Sequence, residues 1–189
     1  QYAVGYNKVS FKDVAESAWY SKAVGFIGAR EITKGTGDGN FNPEAKLTRG
    51  QFMVMLMKAY GLSPDVNPKD NFADAGATYY TGYLATAKAL GISAGVGNNL
   101  FDPEKEITRQ EMFTLIFNAL KVIGKLPAGT AGKSLSSYAD SNDTASWAKE
   151  AVTLLVETGT ISGNGEKLFP RSTTTRAEMA QVLYNMLLK

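Results

Sequence analysis

Two kinds of apolar segment alternate along the chain. In the first kind the apolar residues keep to one face: Trp19, Ala23, Phe26 and Ile27, and again Trp147, Ala151, Leu154 and Leu155, are spaced as on one side of an α-helix. These helices are expected to end near Ile32, Ile92 and Ile161, where a Gly-x-Gly element follows and opens a loop that needs positive φ or close backbone approach. In the second kind apolar residues cover most of the circumference: Phe52 to Met57, then Met112, Phe113, Leu115, Ile116, Phe117 and Leu120, then Met179, Val182, Leu183, Met186 and Leu187. A helix apolar all round is a buried helix, and its methionines read as core filling. The pattern predicts an all-α fold in which the three buried helices lie side by side as a central three-helix bundle. The amphipathic helices and their loops then form short helix-loop lobes outside it.

The alternation is a threefold internal repeat. Phe11-Lys12-Asp13, Phe72-Ala73-Asp74 and Tyr138-Ala139-Asp140 start the copies at separations of 61 and 66 residues. An aromatic follows in each, read as Trp19, Tyr80 and Trp147, then the glycine elements that begin at Gly35, Gly95 and Gly163. Next come Phe41-Asn42-Pro43, Phe101-Asp102-Pro103 and Phe169-Pro170, so the third copy reads as lacking the residue between Phe and Pro. Arg49, Arg109 and Arg176 then stand behind Thr48, Thr108 and Thr175, with Gln51, Glu111 or Glu178 two positions further on. A Thr N-cap with Gln or Glu at the third helical position is a capping box, which satisfies backbone donors otherwise left open at a helix start. Leu47 with Phe52 and Ile107 with Met112 add a hydrophobic staple that Thr174 cannot supply. Turn formers between the copies, Gly61 to Pro68 and Gly124 to Gly132, mark connections, the second expected to be mobile. The division is residues 1–60, 61–120 and 121–189. A unit of about 60 residues cannot readily bury its apolar faces alone, so the copies are expected to form one pseudo-threefold domain.

Composition narrows the chemistry. Among 189 residues there is no Cys and no His, which removes disulfides, thiolate or imidazole metal sites and the commonest catalytic nucleophile and base. Lys and Arg number 20 against 18 Asp and Glu, so the net charge of +2 offers no field for nucleic acid. No stretch is long and apolar enough to insert in a membrane. Gln1-Tyr2-Ala3-Val4 does not begin a signal peptide, so any export signal is expected to have been removed already.

The arginines ask for a reason. Each occupies the first helical position, where the helix dipole disfavours a cation by about 0.3–1 kcal/mol. A guanidinium beside open N-terminal amides suits an arriving carboxylate or phosphate, which the fork and the amides can share. The structural alternative pairs each arginine with a carboxylate of a neighbouring repeat, with Asp13, Asp74 and Asp140 as candidates. An Asp ahead of a helix also reads as a cap.

Taken in order and in triplicate, the aromatic-x-Asp start, the Trp or Tyr, the glycine turn, the Phe-x-Pro and the Thr-Arg-x-Glu box resemble the tandem repeats of an S-layer homology domain. The resemblance implies a three-pronged spindle around a central helical bundle, carried extracellularly by surface-layer proteins and wall-attached exoenzymes. It implies non-covalent attachment to the cell wall, with inter-repeat grooves holding an anionic secondary cell wall polymer, typically through pyruvylated N-acetylmannosamine. Carried to this chain, Arg49, Arg109 and Arg176 would grip the pyruvyl carboxylate, and Gly35, Gly95 and Gly163 would give close backbone approach. Trp19, Tyr80 and Trp147 would stack on sugar or else anchor the first helices, and Asp13, Asp74 and Asp140 would bond sugar hydroxyls or amides. The departures are Gln51 for the usual Glu, Tyr80 where Trp is commoner, and the short third copy.

Three other readings compete. A calcium loop at Asp38 to Asn42 fails because Pro43 stands where Gly is needed and Arg49 where a bidentate Glu belongs. A glycosidase needs one carboxylate pair in one cleft, whereas these acidic residues repeat threefold, so the chain is read as non-enzymatic, without cofactor or metal. A lattice self-assembly module, making contacts with copies of the parent protein, would leave the arginines structural.

Overall fold

The computed structural model describes residues 9–130 and 132–188, so the Gln1 to Val4 stretch read for an export signal lies outside the described residues. Among them run six α-helices: α1 (Ser21–Ala29), α2 (Arg49–Ala59), α3 (Thr81–Ala89), α4 (Arg109–Val122), α5 (Lys149–Glu157) and α6 (Arg176–Leu187). Three single 3-10 turns precede α5, and the described residues hold isolated β-bridges but no strand. The fold is all-α, as the periodicity predicts. The odd-numbered helices stop at Ala29, Ala89 and Glu157, three or four residues before the expected isoleucines.

Each even-numbered helix begins at its arginine because the capping box forms in all three copies. Thr48, Thr108 and Thr175 accept from the third-position amides, and Gln51, Glu111 and Glu178 reach back to the cap amides. The buried faces are as expected in α2, where Phe52 to Met57 are all buried, and in α4. In α6, Met179 and Leu183 are buried while Val182, Met186 and Leu187 are only partly covered. The staple residues Leu47, Phe52, Ile107 and Met112 are fully buried. Thr174, lacking a staple, is buried too and donates its hydroxyl to Glu178 at 3.2 Å.

The repeats interlock in a ring. Helix α3 packs on α2 and α5 on α4, so each first helix covers the second helix of the preceding repeat; α1 packs on α6 and closes the circle. Around the pseudo-threefold axis the residues before the caps bond cyclically. Ile107 N–H donates to Leu47 O at 2.9 Å, Leu47 N–H to Thr174 O at 3.1 Å and Thr174 N–H to Ile107 O at 3.1 Å. All three residues are fully buried, so these polar groups must pair, and only a neighbouring repeat supplies the partner. At the end of the second connection Gly132 N–H donates to Glu157 O at 2.8 Å, and a Cβ there would run into the Val156 carbonyl.

Candidate functional site

The same ring places each arginine across an inter-repeat seam, and its helix start is plugged by the next repeat. Arg49 and Gly50 amides donate to Lys105 and Pro103 carbonyls at 2.9 and 2.8 Å. Arg109 and Gln110 amides donate to Ser172 and Pro170, and Arg176 and Ala177 amides to Ala45 and Pro43. The expectation of open amides for an anion is therefore corrected: neighbouring carbonyls and the Thr cap already use them, and only the guanidinium ends remain for a ligand.

Each guanidinium divides its donors. Its Nε donates to a loop carbonyl of the next repeat: Arg49 to Phe101 at 2.8 Å, Arg109 to Leu168 at 2.8 Å and Arg176 to Phe41 at 2.7 Å. Arg49 and Arg176 also lie over the rings of Phe101 and Phe41, at 4.6 and 4.8 Å from the centroids, where a cation gains from the ring quadrupole. The outer nitrogens differ. Arg49 Nη1 meets Glu111 Oε1 at 3.0 Å, Arg109 Nη1 meets Glu178 Oε1 at 3.8 Å, and Arg176 Nη2 is buried with no hydrogen-bond partner. Burial pushes all three guanidinium pKa values down, while facing carboxylates push back up: Glu111, Asp102 and Asp74 at Arg49, Glu178 and Asp140 at Arg109, and Asp13 at Arg176.

The aspartates carry a task that no local spacing announces. Asp13 accepts from the amides of Phe41 at 2.8 Å and Asn42 at 2.7 Å; Asp74 accepts from Phe101 and Asp102, and Asp140 from Leu168 and Phe169. Each clamps the loop of its own repeat some 28 residues downstream. Their carboxylates make no capping bond, even where Asp140 stands at the N-cap of the 3-10 turn Ser141–Asp143, and they face the arginines across the seam without direct ion pairing. At Asp13, burial raises the carboxyl pKa, but the Phe41 and Asn42 amides outweigh it and hold the group below the usual range. The arginines' carboxylate partners are instead Glu111 and Glu178, already busy as capping residues.

The clamps also reset the register of the third copy. Asp140 holds Leu168 and Phe169 as Asp13 holds Phe41 and Asn42, so Leu168 matches Phe41 and Phe169 matches Asn42 and Asp102. The backbone agrees, with φ of 56°, 56° and 54° at Asn42, Asp102 and Phe169. No residue is missing before Pro170; the shortening falls in the glycine turn instead. The glycines serve that turn. At Gly35 and Gly95 φ is +81°, and a Cβ would run into the carbonyl oxygens of Asn40 and Leu100; at Gly163 it would meet that of Lys167. Their close approach is to their own loops.

The aromatics need one shift of position. Tyr20, Tyr80 and Ala148 are the N-cap residues of α1, α3 and α5, so the residues just before them, Trp19, Tyr79 and Trp147, are equivalent. These three are 62%, 63% and 56% exposed, whereas Tyr80 is buried, donating its hydroxyl to Glu104 at 2.6 Å and covering Gly50. Tyr79 therefore takes the place assigned above to Tyr80; a second-repeat segment one residue shorter, with two adjacent tyrosines, hides this in the sequence.

These parts meet in a groove of about 620 Å³, where Arg109 of the second repeat faces Gly163 and Phe169 of the third, with Trp19 of the first on the rim. Every repeat thus contributes to it. Among the described residues no cluster of His, Cys, Asp and Glu could hold a metal ion, and no helix is long and apolar enough to cross a membrane.

A ring-closed triplet of helical repeats with an arginine across each seam, buried at Arg49 and Arg176 and half-buried at Arg109, defines a modular domain. The S-layer homology domain family matches it three times, over residues 10–53, 71–113 and 137–180, and the chain belongs to that family. Domains of this family attach surface-layer proteins to the cell wall. The S-layer protein sap of Bacillus anthracis is 32% identical over 174 residues, covering 92% of this chain and 21% of that protein. An S-layer protein of Bacillus thuringiensis subsp. finitimus is 31% identical over 175 residues, again 92% and 21%. Exoglucanase XynX of Acetivibrio thermocellus is 27% identical over 183 residues, 96% of this chain and 16% of that enzyme. The chain spans about a fifth or less of the length of these relatives.

Proposed function

We propose that this chain anchors a larger protein to the bacterial cell wall by binding an anionic wall glycan, a pyruvylated N-acetylmannosamine polymer, in its inter-repeat grooves outside the cell. The observation that carries the reading is the Arg109 groove, where a guanidinium, an exposed indole at Trp19 and a second exposed ring at Phe169 line one cleft. A sugar bearing a carboxylate offers an apolar face for the rings and an anion for the guanidinium, so the three features match one ligand. The domain is read as non-enzymatic: its relatives include both surface-layer proteins and a glucanase, which fits a shared anchor with varying cargo. One charge-assisted contact is worth about 1.5–3 kcal/mol, and a polymer occupying two grooves at once binds far more tightly than either groove alone.

Calorimetric titration with purified secondary cell wall polymer, native and depyruvylated, tests the proposal. Heat with the native form and none with the depyruvylated form is expected. Equal binding of both removes the carboxylate from the recognition. Binding of neither, by a folded protein, overturns the reading and favours lattice self-assembly.

A further inference from the structure

The three seams are alike in backbone and unlike in charge. At two of them a glutamate serves two partners with two oxygens. Glu111 takes the Thr108 amide on Oε2 at 2.8 Å and Arg49 on Oε1; Glu178 takes the Thr175 amide on Oε2 at 2.7 Å and faces Arg109 with Oε1. By the cyclic order, the position that should face Arg176 is the third residue of α2, and that residue is Gln51. Its single oxygen is spent on the Thr48 amide at 3.4 Å, and its other terminal atom is a donor, which cannot accept from a guanidinium. Arg176 is accordingly left with Nε on Phe41 O, no ion pair among the described residues, and an unpartnered Nη2 on a side chain from a residue 5% exposed.

We propose that Gln51 makes the Arg176 seam between the third and first repeats the tightest anion site of the three, because Arg176 there meets a ligand carboxylate without first giving up a protein one. The inference rests on the reading of the grooves as glycan sites. A buried cation with an unmade hydrogen bond gains more from an arriving anion than one already paired, since the ligand supplies the missing acceptor and the missing charge together. At the Arg49 seam the ligand must compete with Glu111, which Lys105 also approaches at 3.7 Å; in the Arg109 groove it must compete with Glu178 and with Ser162 O, 3.4 Å from Nη2. Nη2 of Arg176 is covered, so entry requires one wall to give. By the repeat equivalence, Tyr79, exposed like Trp19, is the side chain that answers at this seam to Trp19 at the Arg109 groove, and it is the one with room to move.

The test uses a monovalent probe to exclude avidity: a pyruvylated N-acetylmannosamine methyl glycoside, with inorganic phosphate titrated in parallel. The variants Gln51→Glu and Glu178→Gln both keep a capping side chain and every arginine, so the helix starts survive. Gln51→Glu is expected to weaken the tightest site by about 10-fold or more while holding or raising Tm. Glu178→Gln is expected to leave that site alone and strengthen a second one. Unchanged tightest affinity in Gln51→Glu overturns the inference, as does its loss in Glu178→Gln. Phosphate binding that Gln51→Glu abolishes, without glycoside binding, keeps the charge inference and overturns the glycan reading; binding of neither probe overturns both.

Discussion

Replacing Asp74 by alanine separates a loop clamp from a ligand contact. Its carboxylate accepts from Phe101 N–H at 2.9 and 3.1 Å and from Asp102 N–H at 2.8 Å. Phe101 is fully buried, so its amide has no water to turn to. Stranding that amide costs about 1–3 kcal/mol, and losing the charge-assisted bond to the better-exposed Asp102 amide adds about 1 kcal/mol, so about 2–4 kcal/mol in all. In a domain of this size each kcal/mol moves Tm by about 2–4 °C, which predicts a fall of about 5–15 °C by differential scanning calorimetry. Asp74→Asn keeps one acceptor and should fall between. Titration with the wall polymer well below both transitions should find the Arg109 and Arg176 grooves intact, because the loop that Asp74 holds borders only Arg49. An unchanged Tm with lost glycan affinity would refute the clamp and return Asp74 to the ligand.

Phe169 holds φ of +54° where the other copies place Asn42 and Asp102, a conformation that costs a bulky residue about 1–2 kcal/mol more than asparagine. Phe169→Asn is expected to raise Tm by about 2–8 °C, and a lowered Tm would show that the ring's packing outweighs the strain. Glu111 should make the fold acid-sensitive. Burial raises its pKa, but the Thr108 hydroxyl and amide, Arg49 and Lys105 together hold it below its ordinary value. A carboxylate depressed in the folded state contributes fully above its unfolded pKa, about 4.3, and loses that contribution as pH falls through the folded value. Melting curves from neutral pH into acid should therefore fall less steeply for Glu111→Gln than for the parent; parallel curves would contradict this.

The architecture is legible in the sequence wherever a local pattern carries it. Capping boxes at Thr48, Thr108 and Thr175 mark three helix starts, and the apolar girth of the following residues marks their burial. Contacts between distant segments are less visible. The task of Asp13 is set by amides 28 and 29 residues downstream, which no spacing rule encodes. The plugging of the Arg176 helix start by Pro43 and Ala45 depends on ring closure between the first and third repeats. Composition also misleads where two residues share a type. Tyr79 and Tyr80 are adjacent tyrosines with opposite exposures, and the Phe169-Pro170 pair resembles a shortened Phe-x-Pro although Leu168 holds the phenylalanine's place. The partners of the arginines were in view as capping residues. What hid their second role is that a carboxylate has two oxygens and a capping box uses only one.

A structural role for the arginine and the proposed ligand-binding one do not exclude each other in this fold, because one guanidinium has separate nitrogens for each. Arg109 spends Nε on Leu168 O at 2.8 Å and turns its outer nitrogens to Ser162 O, Glu178 and the open groove. A lysine has the charge but only one ammonium group, which cannot sit at the carbonyl and across the groove at once. Arg109→Lys is thus expected to lose about 1 kcal/mol of stability or less, since a cation can still reach one of the two places. Glycan affinity in that groove should fall by about 10-fold or more, because a forked grip on a carboxylate becomes a point contact. Both are read on one sample, Tm by calorimetry and affinity with the monovalent glycoside. Full affinity with a lowered Tm would mean that charge alone recognises the ligand and that the fork serves the seam; full affinity with an unchanged Tm would mean that neither the Leu168 carbonyl nor the ligand needs the guanidinium geometry.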